Sequence, residues 1–152
     1  MILPMQCSFP TGRLMLVAIV ACAGCGTAEK PQLEVFPVSG KIAVDGKPPV
    51  RAEVRFHPAT PLKDPGKRSV EPYAYVQADG TFRIGTYLSD DGAPPGEYKV
   101  LLVWPTITVE GGEEVAGPDR LHGRFSNPAM PIALVTVKET ENRVPDIELK
   151  SR

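Results

Sequence analysis

Cysteine is scarce in this chain: Cys7, Cys22 and Cys25 are the only three in 152 residues, and none follows Cys25. That excludes a disulfide framework or a thiolate metal site for everything downstream. Histidine is sparser still, with His57 and His122 alone. Neither sign of charge dominates, since 17 basic residues face 18 acidic ones. With no basic stripe either, nucleic acid is not an expected partner. No glycine-rich segment sits between a strand and a helix to cradle phosphate; Gly111-Gly112 lies in a polar stretch. The apolar run at residues 14–21 has eight residues, well short of the roughly 20 that span a bilayer.

What that short run does carry is an export pattern. Arg13 precedes it, and the small residues Ala21, Ala23 and Gly24 surround or follow its end. One basic residue, an apolar segment and small residues before a cut suit secretory processing. A cysteine at the cut makes it the lipoprotein form. Two thiols compete, because Cys22 follows Ala21 and Cys25 follows Gly24. Cys25 is the expected lipidation site and Cys22 the alternative, since cleavage before Cys25 leaves the longer apolar core upstream.

The expected organisation is a signal peptide at 1–24, a lipidated cysteine and tether at 25–36, and one folded domain at 37–150. Loss of the signal leaves 16 basic against 18 acidic residues, so anionic headgroups offer no attraction. Membrane residence must then come from acyl chains of the palmitate type. Each buried methylene contributes about 0.8 kcal/mol and a single chain binds only marginally, so stable anchoring needs the two chains of a diacylated cysteine. The polar tether at 26–34 holds the domain within about 30 Å of the surface. Ala23, Gly24, Gly26 and Thr27 occupy the positions just after the two candidate cysteines. None is the aspartate that retains some lipoproteins in the inner membrane, so the outer membrane or cell surface is the expected location.

The chain has 17 prolines and 14 glycines, and beyond the tether they fall between short apolar runs, which argues many turns rather than disorder. Ile42 and Val44 alternate with Lys41 and Ala43 before an Asp45-Gly46 hairpin turn. Val54 and Phe56 alternate with Glu53, Arg55 and His57. Tyr73, Tyr75 and Val76 begin a strand that Asp79-Gly80 turns back through Phe82 and Ile84. In the strongest strand Tyr98, Val100, Leu102 and Trp104 share one face, and Leu101 and Val103 the other, so it is expected to be central. Residues 106–131 read as a long irregular stretch, either functional or mobile. Strands at 132–138 and around Ile147 and Leu149 complete about seven. The expected fold is all-β, a Greek-key sandwich without helices in the mature chain.

Particular segments carry a resemblance: VSGKIAVDGKP at 38–48, VRFHP at 54–58, ADGTF at 78–82 and APPGEYKV at 93–100, then Pro118-Asp119-Arg120 and Arg124-Phe125-Ser126. Together they resemble small bacterial lipoproteins with a carboxypeptidase-regulatory-like, or transthyretin-like, domain, over residues 37–150. The resemblance implies a seven-stranded prealbumin-like sandwich in the cell envelope, and it speaks to fold rather than activity. The hydroxyisourate hydrolase that shares this sandwich relies on an N-terminal histidine and a C-terminal Tyr-Arg-Gly-Ser. This sequence reads Glu148-Leu149-Lys150-Ser151-Arg152 at that end, and its first histidine is His57.

No set of residues reads as catalytic, and neither a metal nor another cofactor is expected. His57 reads as a solvated strand residue, and His122 with Asp119 is at most half a metal site. Asp90-Asp91-Gly92 reads as a turn rather than a calcium loop, because spaced carboxylates are missing. Trp104 reads as core, although it and the tyrosines could stack on sugar. The expected function is a non-catalytic, lipid-anchored envelope protein serving as a binding or structural module. Its candidate binding loop holds Asp119, Arg120, His122 and Arg124, since rigid sandwiches commonly present function on loops. The alternatives are a carbohydrate- or peptidoglycan-binding module and, behind it, an envelope hydrolase. Expected partners are the membrane, through the lipid, and an envelope protein or glycan.

Overall fold

The computed structural model describes residues 33–62 and 70–152. The expected signal peptide, Cys22, Cys25 and most of the expected tether lie outside the described residues. No helix among the described residues is long and apolar enough to cross a membrane.

Those residues are all-β. Ten strands run β1 (Val38–Val44), β2 (Glu53–Pro58), β3 (Tyr73–Tyr75), β4 (Thr81–Arg83), β5 (Gly96–Val103), β6 (Pro105–Glu110), β7 (Glu113–Asp119), β8 (Ala133–Val137), β9 (Asn142–Arg143) and β10 (Ile147–Leu149). One sheet is ordered β10-β1-β4, with β9 also pairing β1; the other is ordered β3-β2-β5-β8. Their facing sides enclose a core of Ile42, Phe82, Val54, Phe56, Tyr98 and Val100, among others. Period-two alternation puts these side chains on one face of each strand. Fully burying an aliphatic or aromatic side chain of this kind contributes about 1.5–3 kcal/mol. Phe56 and Tyr98 meet with ring centroids 5.6 Å apart. The Tyr98 hydroxyl is satisfied internally, donating to Pro94 O at 2.7 Å.

Both Asp-Gly turns form where the sequence places them, with Asp45 at φ 52°, Gly46 at φ 75° and Gly80 at φ 85°. Val44 and Lys47 exchange backbone bonds of 2.9 and 3.0 Å around the first. Neither turn joins neighbours in one sheet, however. The chain crosses from β1 to β2 in the opposite sheet, and from β3 back to β4, which pairs with β1. A tight turn fixes local geometry only; the choice of partner is made by the apolar faces. β5 lies between β2 and β8, as its two apolar faces suggest, with Leu101 buried opposite Leu102.

Residues 106–131 are not irregular throughout, which corrects the sequence reading. β6 and β7 form a hairpin closed by Gly111 and Gly112 at φ 62° and 89°. Thr106-Ile107-Thr108-Val109 alternates, but its tip is exposed on both faces, with Val109 70% exposed. Such a strand leaves no strong apolar signature. Arg51 bonds Glu114 and so links the hairpin to the turn before β2. At the other end the folded unit begins one residue ahead of 37, because Phe36 and Ala93 exchange backbone bonds of 2.9 and 3.0 Å.

Candidate functional site

β3 is an edge strand, and its sequence Tyr73-Ala74-Tyr75 leads into Val76. Ala74 and Val76 are buried, so both tyrosines must point outward; they are 46% and 55% exposed. Their rings pack edge to face, centroids 5.7 Å apart at 80°, the geometry that ring quadrupoles favour. A single bridge, Tyr73 to Gly85 with bonds of 3.0 and 2.9 Å, joins this edge to the chain after β4 in the other sheet. A seam between the two sheets results.

The loop beyond the seam is built on Asp91. Its carboxylate accepts from the backbone N–H groups of Thr86 at 2.6 Å, Tyr87 at 3.0 Å and Leu88 at 2.9 Å. Thr86 Oγ1 donates to Gly92 O at 2.6 Å. The turn expected at Asp90-Asp91-Gly92 is therefore present, and Asp91 is committed to it. Gly85 lets the loop close tightly, since a Cβ there would stand 2.3 Å from Leu88 O. Tyr87 is held from the far side, its hydroxyl accepting from Leu33 N at 2.9 Å.

Between seam and loop lies an open groove of about 380 Å³, lined among others by Tyr73, Tyr75, Gln77, Arg83, Tyr87 and Asp90. Its volume falls at the lower end of the range for small-ligand sites, but it is shallow and more polar than the mostly apolar clefts that drug-sized ligands fill. Sequence reading missed this cluster. The signal was the alternation Tyr73-Ala74-Tyr75-Val76, in which the smaller residues take the core side.

The loop singled out from sequence does bring its four residues into one turn, each with a different engagement. Asp119 Oδ1 accepts from Trp104 N at 2.9 Å and Leu121 N at 3.1 Å, and Oδ2 from Gly123 N at 2.8 Å. The carboxylate thus organises backbone. Arg120 lies over the Trp104 ring, 5.0 Å from its centroid, and Arg124 over Phe125 at 5.3 Å. His122 is exposed with φ 52°. Trp104 itself is half-buried against the core, with Nε1 donating to Val50 O at 3.2 Å.

His57 sits on the outer face of β2, as alternation requires, but with a partner: Nδ1 lies 2.5 Å from Glu71 Oε1. Beside it Arg55 makes two bonds to Glu53, of 2.8 and 3.0 Å, and these push its guanidinium further up from its ordinary value. Among the described residues no three histidine, cysteine or carboxylate side chains gather as a metal site.

No family model and no curated protein matches the chain. Solved structures do. One is a conjectured carbohydrate-binding protein from Pseudomonas aeruginosa, 14% identical, aligned over 80% of this chain and 92% of its own at a TM-score of 0.42. Another is a 9R-lipoxygenase from Cyanothece, 12% identical, over 76% of this chain at a TM-score of 0.39. The chain spans only 16% of that enzyme.

Proposed function

We propose that this chain is an exported, lipid-anchored binding module whose β-sandwich takes a glycan in the tyrosine groove. The observation that carries the reading is the exposed Tyr73–Tyr75 pair at the rim of a groove that also offers Arg83, Gln77 and Asp90. Sugars present apolar C–H faces and a ring of hydroxyls, and aromatic faces flanked by polar groups answer both. We read the role as binding rather than catalysis, because outward ring faces beside polar groups serve recognition of a sugar. The export pattern around Cys25, with Cys22 as the alternative, supports envelope residence at the outer membrane or cell surface. The turn and strand motifs support a transthyretin-like, Greek-key form of the sandwich.

Titration of full-length protein with soluble oligosaccharides, followed by calorimetry, tests the groove. Tyr75→Ala is expected to weaken binding roughly tenfold, the scale of one lost aromatic contact. A second placement has its own support, because Arg120, His122 and Arg124 stand exposed on one turn that Asp119 braces. Replacing those three with alanine separates the two. Binding lost there and kept in Tyr75→Ala would move the site to the loop.

A further inference from the structure

We infer that the groove continues onto a cationic row across the β10-β1-β4 sheet, and that the ligand is therefore an acidic glycan carrying carboxylates. This rests on the glycan reading above. Ser39 of β1 is in register with Arg83 of β4 on one side and with Arg143 of β9 on the other. The three residues form one row on the outer face, opposite the core-facing Val38 and Phe82. Adjacent strands lie about 4.8 Å apart, so the two arginines stem from points roughly 10 Å apart. Ser39 between them is too short to obstruct.

A second open depression, of about 330 Å³, lies over this row, and Lys41, Asp79 and Thr81 also line it. Arg83 lines both depressions. It is the junction of a single track that leads from the tyrosines to the row.

The charge of the row is not neutralised locally. Three cations, Lys41, Arg83 and Arg143, meet one carboxylate, Asp79. That carboxylate accepts from Thr81 N at 2.9 Å and Thr81 Oγ1 at 2.7 Å. Those bonds, with Lys41 contributing, hold it below the usual carboxylate range. Arg83 and Arg143 are exposed, and neither has an ion pair or side-chain hydrogen bond among the described residues. In a chain with more acidic than basic residues, this local excess of positive charge is a feature of the site. Three other arginines are engaged: Arg51 with Glu114, Arg55 with Glu53 and Arg120 with Trp104. Guanidinium forks match carboxylates in two-pronged fashion, and the tyrosines hold the sugar ring that bears them.

The deciding probe pair is hexagalacturonate and its fully methyl-esterified form, which keep the same rings and remove only the charge. Full-length protein is expected to bind the acid about tenfold more tightly than the ester at low ionic strength, with the gap shrinking as salt screens exposed charge. Arg143→Gln, which leaves the tyrosine groove untouched, is expected to narrow that gap; Tyr75→Ala is expected to weaken both ligands alike. Equal binding of acid and ester by the wild-type protein, lost in Tyr75→Ala, overturns the cationic row and leaves the glycan groove standing. Absence of binding to either hexamer overturns both. The wild-type comparison decides the matter even if a variant folds poorly.

Discussion

The ring of Phe82 lies across the bare backbone of Gly40. The two are register partners in the β1–β4 pair, and a Cβ built on Gly40 would stand 2.4 Å from Phe82 Cζ. Phe82 is fully buried, so the ring covers the glycine and has no free space to swing into. The ring packs over the β1–β4 pair from the core side, while the neighbouring register pair, Ser39 and Arg83, faces outward.

Gly40→Ala tests that packing. The added methyl overfills a tight site, and the expected cost is about 1–3 kcal/mol. Urea denaturation at fixed pH measures it. An unchanged midpoint would show that the core yields more easily than the geometry implies.

Asp119 supports a second prediction. Asp119→Ala removes three backbone acceptor contacts and is expected to cost about 2–3 kcal/mol while loosening the turn at 120–126. Asp119→Asn separates the two oxygens: its carbonyl oxygen can still serve Trp104 N and Leu121 N, but its amide cannot accept from Gly123 N. The asparagine variant should fall between wild type and alanine. Trp104 fluorescence is the local reporter, and an alanine variant with native emission and stability would mean the turn is held by other contacts.

Tyr98 gives a pH dependence. Burial pushes its phenol up from the ordinary value near 10, because the charged form loses its hydration. The folded state therefore prefers the protonated form. Its contribution to stability is complete below pH 10 and is lost as pH rises from there toward the folded-state value. Tyr98→Phe should flatten the part of the alkaline decline that Tyr98 causes, while costing about 1 kcal/mol at neutral pH through the lost bond to Pro94 O. Melting curves at pH 8 and pH 11 for both proteins check this. A decline of equal depth in the phenylalanine variant would assign it to other groups.

What could be read from sequence was what two-residue periodicity and turn chemistry encode. Ile42 and Val44, Val54 and Phe56, and Tyr98 with Val100 and Leu102 announced their faces, and Asp45-Gly46 and Asp79-Gly80 their turns. Partner choice was not encoded locally, so the crossings from β1 to β2 and from β3 to β4 were read as simple hairpins. β9 has two residues, too few for any period. The candidate loop at Asp119, Arg120, His122 and Arg124 was legible as a polar cluster, yet the engagement of Asp119 with three amides depends on folded geometry. The groove eluded the sequence reading because Arg83 and the 86–92 loop, though they follow Tyr73 and Tyr75 closely in the chain, belong to the other sheet, and Arg143 comes much later. Only the bridge at Gly85 and the register at Ser39 bring them to one surface.

The anchor is the last prediction, and it decides where such a groove would work. Stable residence needs two acyl chains, and the chain offers Cys25, or alternatively Cys22, immediately after small residues. Intact mass of protein extracted from membranes should show the signal removed and a diacylglyceryl-type addition on the new N-terminal cysteine. Cys25→Ala should lose that mass and release the protein to the soluble fraction, with Cys22→Ala unaffected; the reverse pattern would place the lipid on Cys22. With about 30 Å of tether, the acidic-glycan track would then face polymers close to the membrane that holds it. An unlipidated, soluble wild type would make the same sandwich a freely secreted binder, and the groove would have to be tested against glycans in solution instead.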